Sequence, residues 1–431
     1  AAAGGAGRPR PAGREGERVS LCRYLPTPSD RMAVMWTLLN VGQAVVLEYG
    51  PAGTTHYSMG LFGNMGISPD QTLFTTHMSE DDVVMGDVTR LEDAIVELDR
   101  NYSPKVIFVI ASAITAVIGT DLIGVCAYMQ ERVKARLIAM ENGGFRGDYT
   151  VGLREAYAML ARELAGSGRE SGRKTYNVLG ASAGSYRIHS DLWEVQDLVG
   201  RAFGLSFHCA PGFQGTVEEL EQMGSAAVNL VLRNEALPAA RLLQERFGTP
   251  YVYGAPYGYE GTGRWLEEIS QAVGIPMSDE VRRALRERKK ESMTYRMYAG
   301  MYRDRPHPPT AALAGDYDTL VGLAGVCREL DIPTDLMICA HSLKDVEEPM
   351  EGITHFPRER DQIDALRALD YHLVLADDVS LHLCDETNVG RCVSFPLVHR
   401  TQIARHLPLM GLRGMDDLLE TVSRYYDCLD G

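Results

Sequence analysis

The chain has 431 residues and a formal net charge of −15, with 43 Lys plus Arg against 58 Asp plus Glu; 45% of it is hydrophobic and 23% charged. That length exceeds one ordinary core and predicts two or three domains of about 100–200 residues, in a composition typical of soluble globular proteins. The acidic balance repels phosphate backbones and argues against a nucleic-acid partner.

Residues 1–20 are rich in Gly, Ala, Arg and Pro and lack an apolar h-region, so they read as a disordered tail and not as a secretory signal. The eight cysteines fall at irregular spacings without a CxxC pair. Many lie in apolar runs, which predicts reduced thiols in a cytoplasmic protein and no zinc site built from local pairs. The longest apolar run, 105–126, is broken by Ser112, Thr115, Thr120 and Asp121 and is not a membrane span.

In the first unit (21–170), AVVLEY (44–49) is a predicted strand running into a Gly-Pro-Ala-Gly turn, and TLFTTH (72–77) is a second strand. VTRLEDAIVELDRNY carries Leu91, Ile95 and Leu98 at helical spacing. KVIFVIAS is a β-branched run of the kind buried on both faces of a parallel sheet, and DLIGVCAYMQERV follows as a helix.

The polar stretch 164–175 is the best linker. The second unit (171–305) reads as strands at YNVLGAS, LSFHCAP, VNLVLR and TPYVYGAP, with helices between them. TVEELEQMGSA has a Thr cap and acids in its first turn. Residues 279–304 read as a long exposed helix whose basic run, 282–290, is most simply a solvated face. The third unit (306–431) has strands at DLMICAH, YHLVLAD and RCVSFPLV and a C-terminal helix. The expected fold is α/β, three consecutive Rossmann-like units with parallel sheets, in which ligands bind beyond the carboxyl ends of strands. Neither GxGxxG nor GxxxxGK[ST] occurs, so neither NAD nor ATP is expected on this chain.

At the first strand end stand Gly53, Thr54, Thr55, His56 and Ser58. Two readings fit them: a pocket lining with His56 as proton donor, or a helix N-terminus capped by a threonine with His56 on the surface. Asp377 and Asp378 read either as paired carboxylates or as helix caps, the cap being the simpler. Cys209, His189 and His341 are lesser candidates at strand and domain edges, and Cys126, Cys327, Cys339, Cys384 and Cys392 read as core.

Several stretches resemble the nitrogenase component 1 family, which includes cofactor-assembly scaffolds and dark-operative protochlorophyllide reductase subunits. YGPAGT (49–54) is similar to the family's His-Gly-Pro-x-Gly-Cys. TTHMSEDDVVMGDVTRLEDAI, PKVIFVIASAITAVIGTDL, residues 226–270 and residues 393–422 continue the likeness over nearly the whole chain from Cys22. The resemblance implies an iron–sulfur cluster between two subunits. Its cysteines would fall at Cys22, Thr54 and Ala113, and only Cys22 is a cysteine here. The cysteine that anchors the substrate-reducing cofactor would fall at or near Arg233.

Threonine is a poor soft-metal ligand and alanine is none. A cluster then needs a partner's thiolates, or a second copy's Cys22. The site set implied is Cys22 as metal ligand, Gly53, Thr54 and Thr55 about the cofactor, and His56 and Arg233 as catalytic groups. For Arg233 two roles fit, an anion-binding guanidinium or a salt bridge to a local acid. The implied partners are an ATP-driven iron-protein reductase and a sister subunit or second copy, as a dimer or α2β2. The implied function is a nitrogenase-like reductase subunit acting on a substrate other than dinitrogen. The alternative is a cluster-poor scaffold or non-catalytic partner subunit for metallocofactor assembly.

Overall fold

The computed structural model describes residues 22–23, 27–67, 72–168, 174–394 and 406–429. The expected tail, the 169–173 part of the linker and the 395–398 continuation of the last strand lie outside the described residues.

Three parallel sheets follow one another along the chain, as the alternation of strand and helix signals predicts. The first holds β1 (Ala44–Tyr49), β2 (Leu73–Thr75), β3 (Val106–Ala111) and β4 (Arg136–Met140), in the order β2-β1-β3-β4. The second holds β5 (Thr175–Leu179), β6 (Ser206–Phe207), β7 (Val228–Val231) and β8 (Tyr251–Tyr253), in the order β8-β7-β5-β6. The third holds β9 (Ala311–Gly315), β10 (Thr334–Cys339), β11 (Ile353–Thr354), β12 (Leu373–Ala376) and β13 (Val389–Cys392), in the order β11-β10-β9-β12-β13. A short parallel pair, Val41–Gly42 with Gly215–Thr216, ties the first unit to the second.

The apolar runs explain these strands. In β3 every residue is buried. Val106, Phe108 and Ile110 face the main core, which continues through Trp36, Tyr176, Leu230 and Leu313. Ile107, Val109 and Ala111 face a second core, where the helix Thr89–Tyr102 inserts Leu91, Ile95 and Leu98. Period-2 alternation thus sends one run into two cores.

The strand expected over LSFHCAP is only Ser206–Phe207. His208 N–H still bonds the Tyr176 carbonyl at 2.9 Å, but Pro211 and Gly212 (φ 76°) then turn the chain back on itself. The Thr216 cap forms as a capping box with Glu219. Among the described residues no helix is long and apolar enough to cross a membrane.

Candidate functional site

The candidate residues gather at the carboxyl ends of strands, in three places. The first lies beyond β1. The chain leaves Tyr49 through Gly50 and Pro51 into the helix Ala52–Asn64. A Cβ on Gly50 would sit 2.5 Å from that of Ser112, so only glycine lets the turns after β1 and β3 cross.

Behind this turn Glu48 is wholly buried and ion-paired to Arg31. Thr55 donates its hydroxyl to Glu48, and the Thr54 hydroxyl donates to the Pro51 carbonyl at 2.9 Å and lies 3.4 Å from Glu48 Oε1. His56 is exposed, and nothing stands within 4 Å of a Cβ placed on Gly53. Ser58 bonds back to the Thr54 carbonyl at 3.1 Å. The threonine hydroxyls therefore serve a buried carboxylate. Ser112, before Ala113, caps the helix Ala113–Ile118 by accepting from Thr115 N–H.

The second place is where the three units meet. Arg233 follows β7 and is 7% exposed. It bonds Glu235 at 3.0 Å through Nε and Asp316 at 3.1 Å through Nη1. Asp316 follows β9 and also caps the helix Tyr317–Glu329. A Cβ on Gly180 (φ +84°), at the end of β5, would meet the Arg233 backbone nitrogen at 2.9 Å. Asp318 accepts from Asn234 N–H at 2.9 Å and from the Tyr253 hydroxyl at 2.6 Å.

From the first unit comes Tyr149, whose ring packs edge-on against His341, centroids 5.6 Å apart. His341 accepts from Tyr317 N–H through Nε2 at 3.1 Å, and its Nδ1 lies 3.0 Å from the Ser342 carbonyl, so the neutral imidazole satisfies both. The residual cavity here is about 20 Å³.

One guanidinium thus meets two buried carboxylates, with the half-buried Asp318 beside them. Burial opposes ionisation of Asp316, but Arg233 and further partners hold its carboxyl below the usual range. Burial, then the charge of Glu235, pushes Asp318 up to about 7. Asp191, buried and accepting Leu409 and Met410 N–H at 2.6 and 2.9 Å, is raised to about 7 by desolvation.

The third place holds Cys22, which is exposed on a cavity of about 160 Å³. Tyr149, His355, Glu359 and Asp377 share that cavity, and neither Thr54 nor Ala113 lines it. The next residue's N–H, that of Arg23, bonds Glu359 at 2.7 Å. Asp377 accepts from Val379 and Ser380 N–H at 3.0 and 2.9 Å, the capping arrangement. Cys209 is buried, its thiol 3.4 Å from Asn177 Oδ1, and burial raises its pKa. His189 is exposed and packs on Phe213.

These residues do not compose an iron–sulfur site by themselves. Among the described residues no three His, Cys, Asp or Glu side chains converge as a metal requires. Sequence reasoning missed Glu48, Glu235, Asp316 and Asp318. The legible signals were an acid inside the apolar run AVVLEY and acids directly after strand-like runs.

Three parallel sheets whose carboxyl ends converge on one centre define a class of three-unit α/β proteins. The model of the nitrogenase component 1 type oxidoreductases matches residues 29–425, and the chain belongs to that family. It is 29% identical over 245 residues to the nitrogenase iron-molybdenum cofactor biosynthesis protein NifE of Nostoc sp., a match covering 56% of this chain and 50% of that one. To the NifE of Clostridium pasteurianum it is 26% identical over 318 residues, covering 73% of this chain and 68% of that one. The chain therefore spans half to two thirds of the length of these relatives. The solved structure "Nitrogenase Cp1 at pH 6.5" superposes with a TM-score of 0.75 at 17% identity, covering 95% of this chain and 94% of that one, which establishes the fold.

Proposed function

We propose that this chain is a cluster-poor scaffold or non-catalytic partner subunit of metallocofactor assembly, the alternative that the sequence left beside a reductase. The observation that carries this reading is the centre. Where the family resemblance calls for a cofactor-anchoring thiolate, Arg233 stands ion-paired to Glu235 and Asp316, and about 20 Å³ remains. A guanidinium has no lone pair to give a metal. Thr54 supports the same reading, since its hydroxyl is engaged by Pro51 and Glu48. So does the placement of Cys22 beside the third sheet. NifE relatives are named for cofactor biosynthesis, and a metallocluster enters the reading as the cargo of an assembly in which this chain gives at most Cys22.

The sister subunit or second copy is expected on the carboxyl edge of the first sheet. There Met85, Val117 and Ile123 are 79%, 72% and 58% exposed. Exposed apolar side chains along one edge mark an interaction surface. An iron-protein reductase as electron donor and a cytoplasmic location belong to the same reading, the latter supported by the free cysteines.

The test is iron and acid-labile sulfide content, with an electron paramagnetic resonance spectrum after dithionite. The protein is purified anaerobically, alone and with its co-purifying partner, beside Cys22→Ala. The scaffold reading expects the chain alone to carry well under the roughly four irons of a full cluster, and Cys22→Ala to leave that unchanged. About four irons that vanish in Cys22→Ala return the reading to a reductase.

A further inference from the structure

The helix Asp279–Tyr302 presents a face that the proposed function does not use. It packs by a narrow stripe of Val281, Leu285, Ser292, Ala299 and Tyr302. On the outward side, positions 283, 286, 290, 293, 297 and 301 follow at intervals of three or four and share one face. That face is divided along its length. Its first half carries Arg283, Arg286, Lys289 and Lys290, which form no ion pair among the described residues. Its second half carries Met293, Met297 and Met301, 63%, 70% and 67% exposed. Beside the basic half runs an open groove of about 410 Å³, walled by Glu267, Ser270 and Gln271 on one side and Arg282, Arg286 and Lys289 on the other.

Arg283, Arg286, Lys289 and Lys290 gather positive charge in one place on a chain of net charge −15. Flexible exposed methionines in a row are the side chains of adaptable protein-binding surfaces. We infer that this helix face docks a helical segment of another protein, acidic over one half and apolar over the other, along about 27 Å from Arg283 to Met301.

A second copy does not meet that description. Pairing two such helices in parallel sets cation against cation, and pairing them antiparallel sets cations on methionines. Nucleic acid is opposed by the net charge. A membrane-surface helix keeps its apolar and basic residues on opposite faces, whereas here they follow each other on one face.

The test uses the 431-residue chain and a fluorescein-labelled helical peptide with glutamates on one half of one face and leucines on the other half. Fluorescence anisotropy should give micromolar binding, weakened at least tenfold by Lys290→Glu and by Met297→Glu. Both substitutions are on exposed positions, and circular dichroism checks that the variants remain folded. A peptide of equal composition with glutamate and leucine alternating should bind at least tenfold more weakly. Equal binding of the two peptides, indifference to Met297→Glu, or tighter binding to anionic phosphatidylglycerol vesicles than to the peptide each overturns the inference.

Discussion

Arg233 is the only cation bonded to Glu235 and Asp316 among the described residues, and it is buried with them. Removing it strands two carboxylates in the interior. Arg233→Ala should therefore cost about 3–5 kcal/mol of stability, read from urea unfolding midpoints. Arg233→Lys should recover only part, because an ammonium cannot fork between two carboxylates. A loss below about 1 kcal/mol would show that the pairing is worth no more than an exposed one.

Asp318 gives a pH signature. Its carboxyl rises from 3.8 in the unfolded chain to about 7, since burial and the charge of Glu235 outweigh Arg233 and the hydrogen bonds from Tyr253 and Asn234. The folded state therefore binds this proton more tightly than the unfolded state. The associated stability is complete below pH 4 and is lost as pH rises through 7. Asp318→Asn keeps an uncharged acceptor at every pH. It should flatten the decline in stability between pH 5 and 8 and be the more stable form at pH 8 by on the order of 1–3 kcal/mol. Asp191, raised by burial to about 7, adds a decline of the same sign that this variant retains.

At the scale of elements, strand ends are fixed by caps. Asp377 caps the helix Asp378–Leu383 with both backbone bonds that a cap provides. Asp377→Ala should cost about 1–2 kcal/mol while Asp377→Asn costs a few tenths. An Asn variant as damaging as Ala would revive the paired-carboxylate reading. The helix Thr89–Tyr102 was legible from its apolar period of 3.6 and strand β3 from its unbroken β-branched run. The strand expected over LSFHCAP is regular only over Ser206–Phe207, with single bonds continuing through His208 and Cys209 before Pro211 and Gly212 turn the chain, and the apolar run alone did not show that turn.

At the scale of the molecule, the first sheet's carboxyl edge and the centre behave oppositely. The centre is filled, and the edge exposes the apolar side chains of Met85 and Val117. Val117→Asp, at a side chain 72% exposed, should leave the monomer's thermal midpoint nearly unchanged. It should also shift the proposed dimer toward monomer in sedimentation velocity. Unchanged assembly in that variant would place the partner elsewhere.

The sequence by itself determined the three α/β units, the parallel sheets and the family, because apolar periodicity and glycine turns are local and survive divergence. Where the family resemblance implies cysteines, it reads Thr54, Ala113 and, at or near the third position, Arg233. Only the tertiary structure decided what stands in their place. Glu48 lies seven residues from Thr55 and Asp316 lies 83 from Arg233. Glu235, two residues from Arg233, is the local acid that the sequence offered as a salt-bridge partner, but a buried charge also finds partners by proximity in space, and no local pattern announces that Arg233 would meet Asp316 or that Cys22 would settle beside the third sheet.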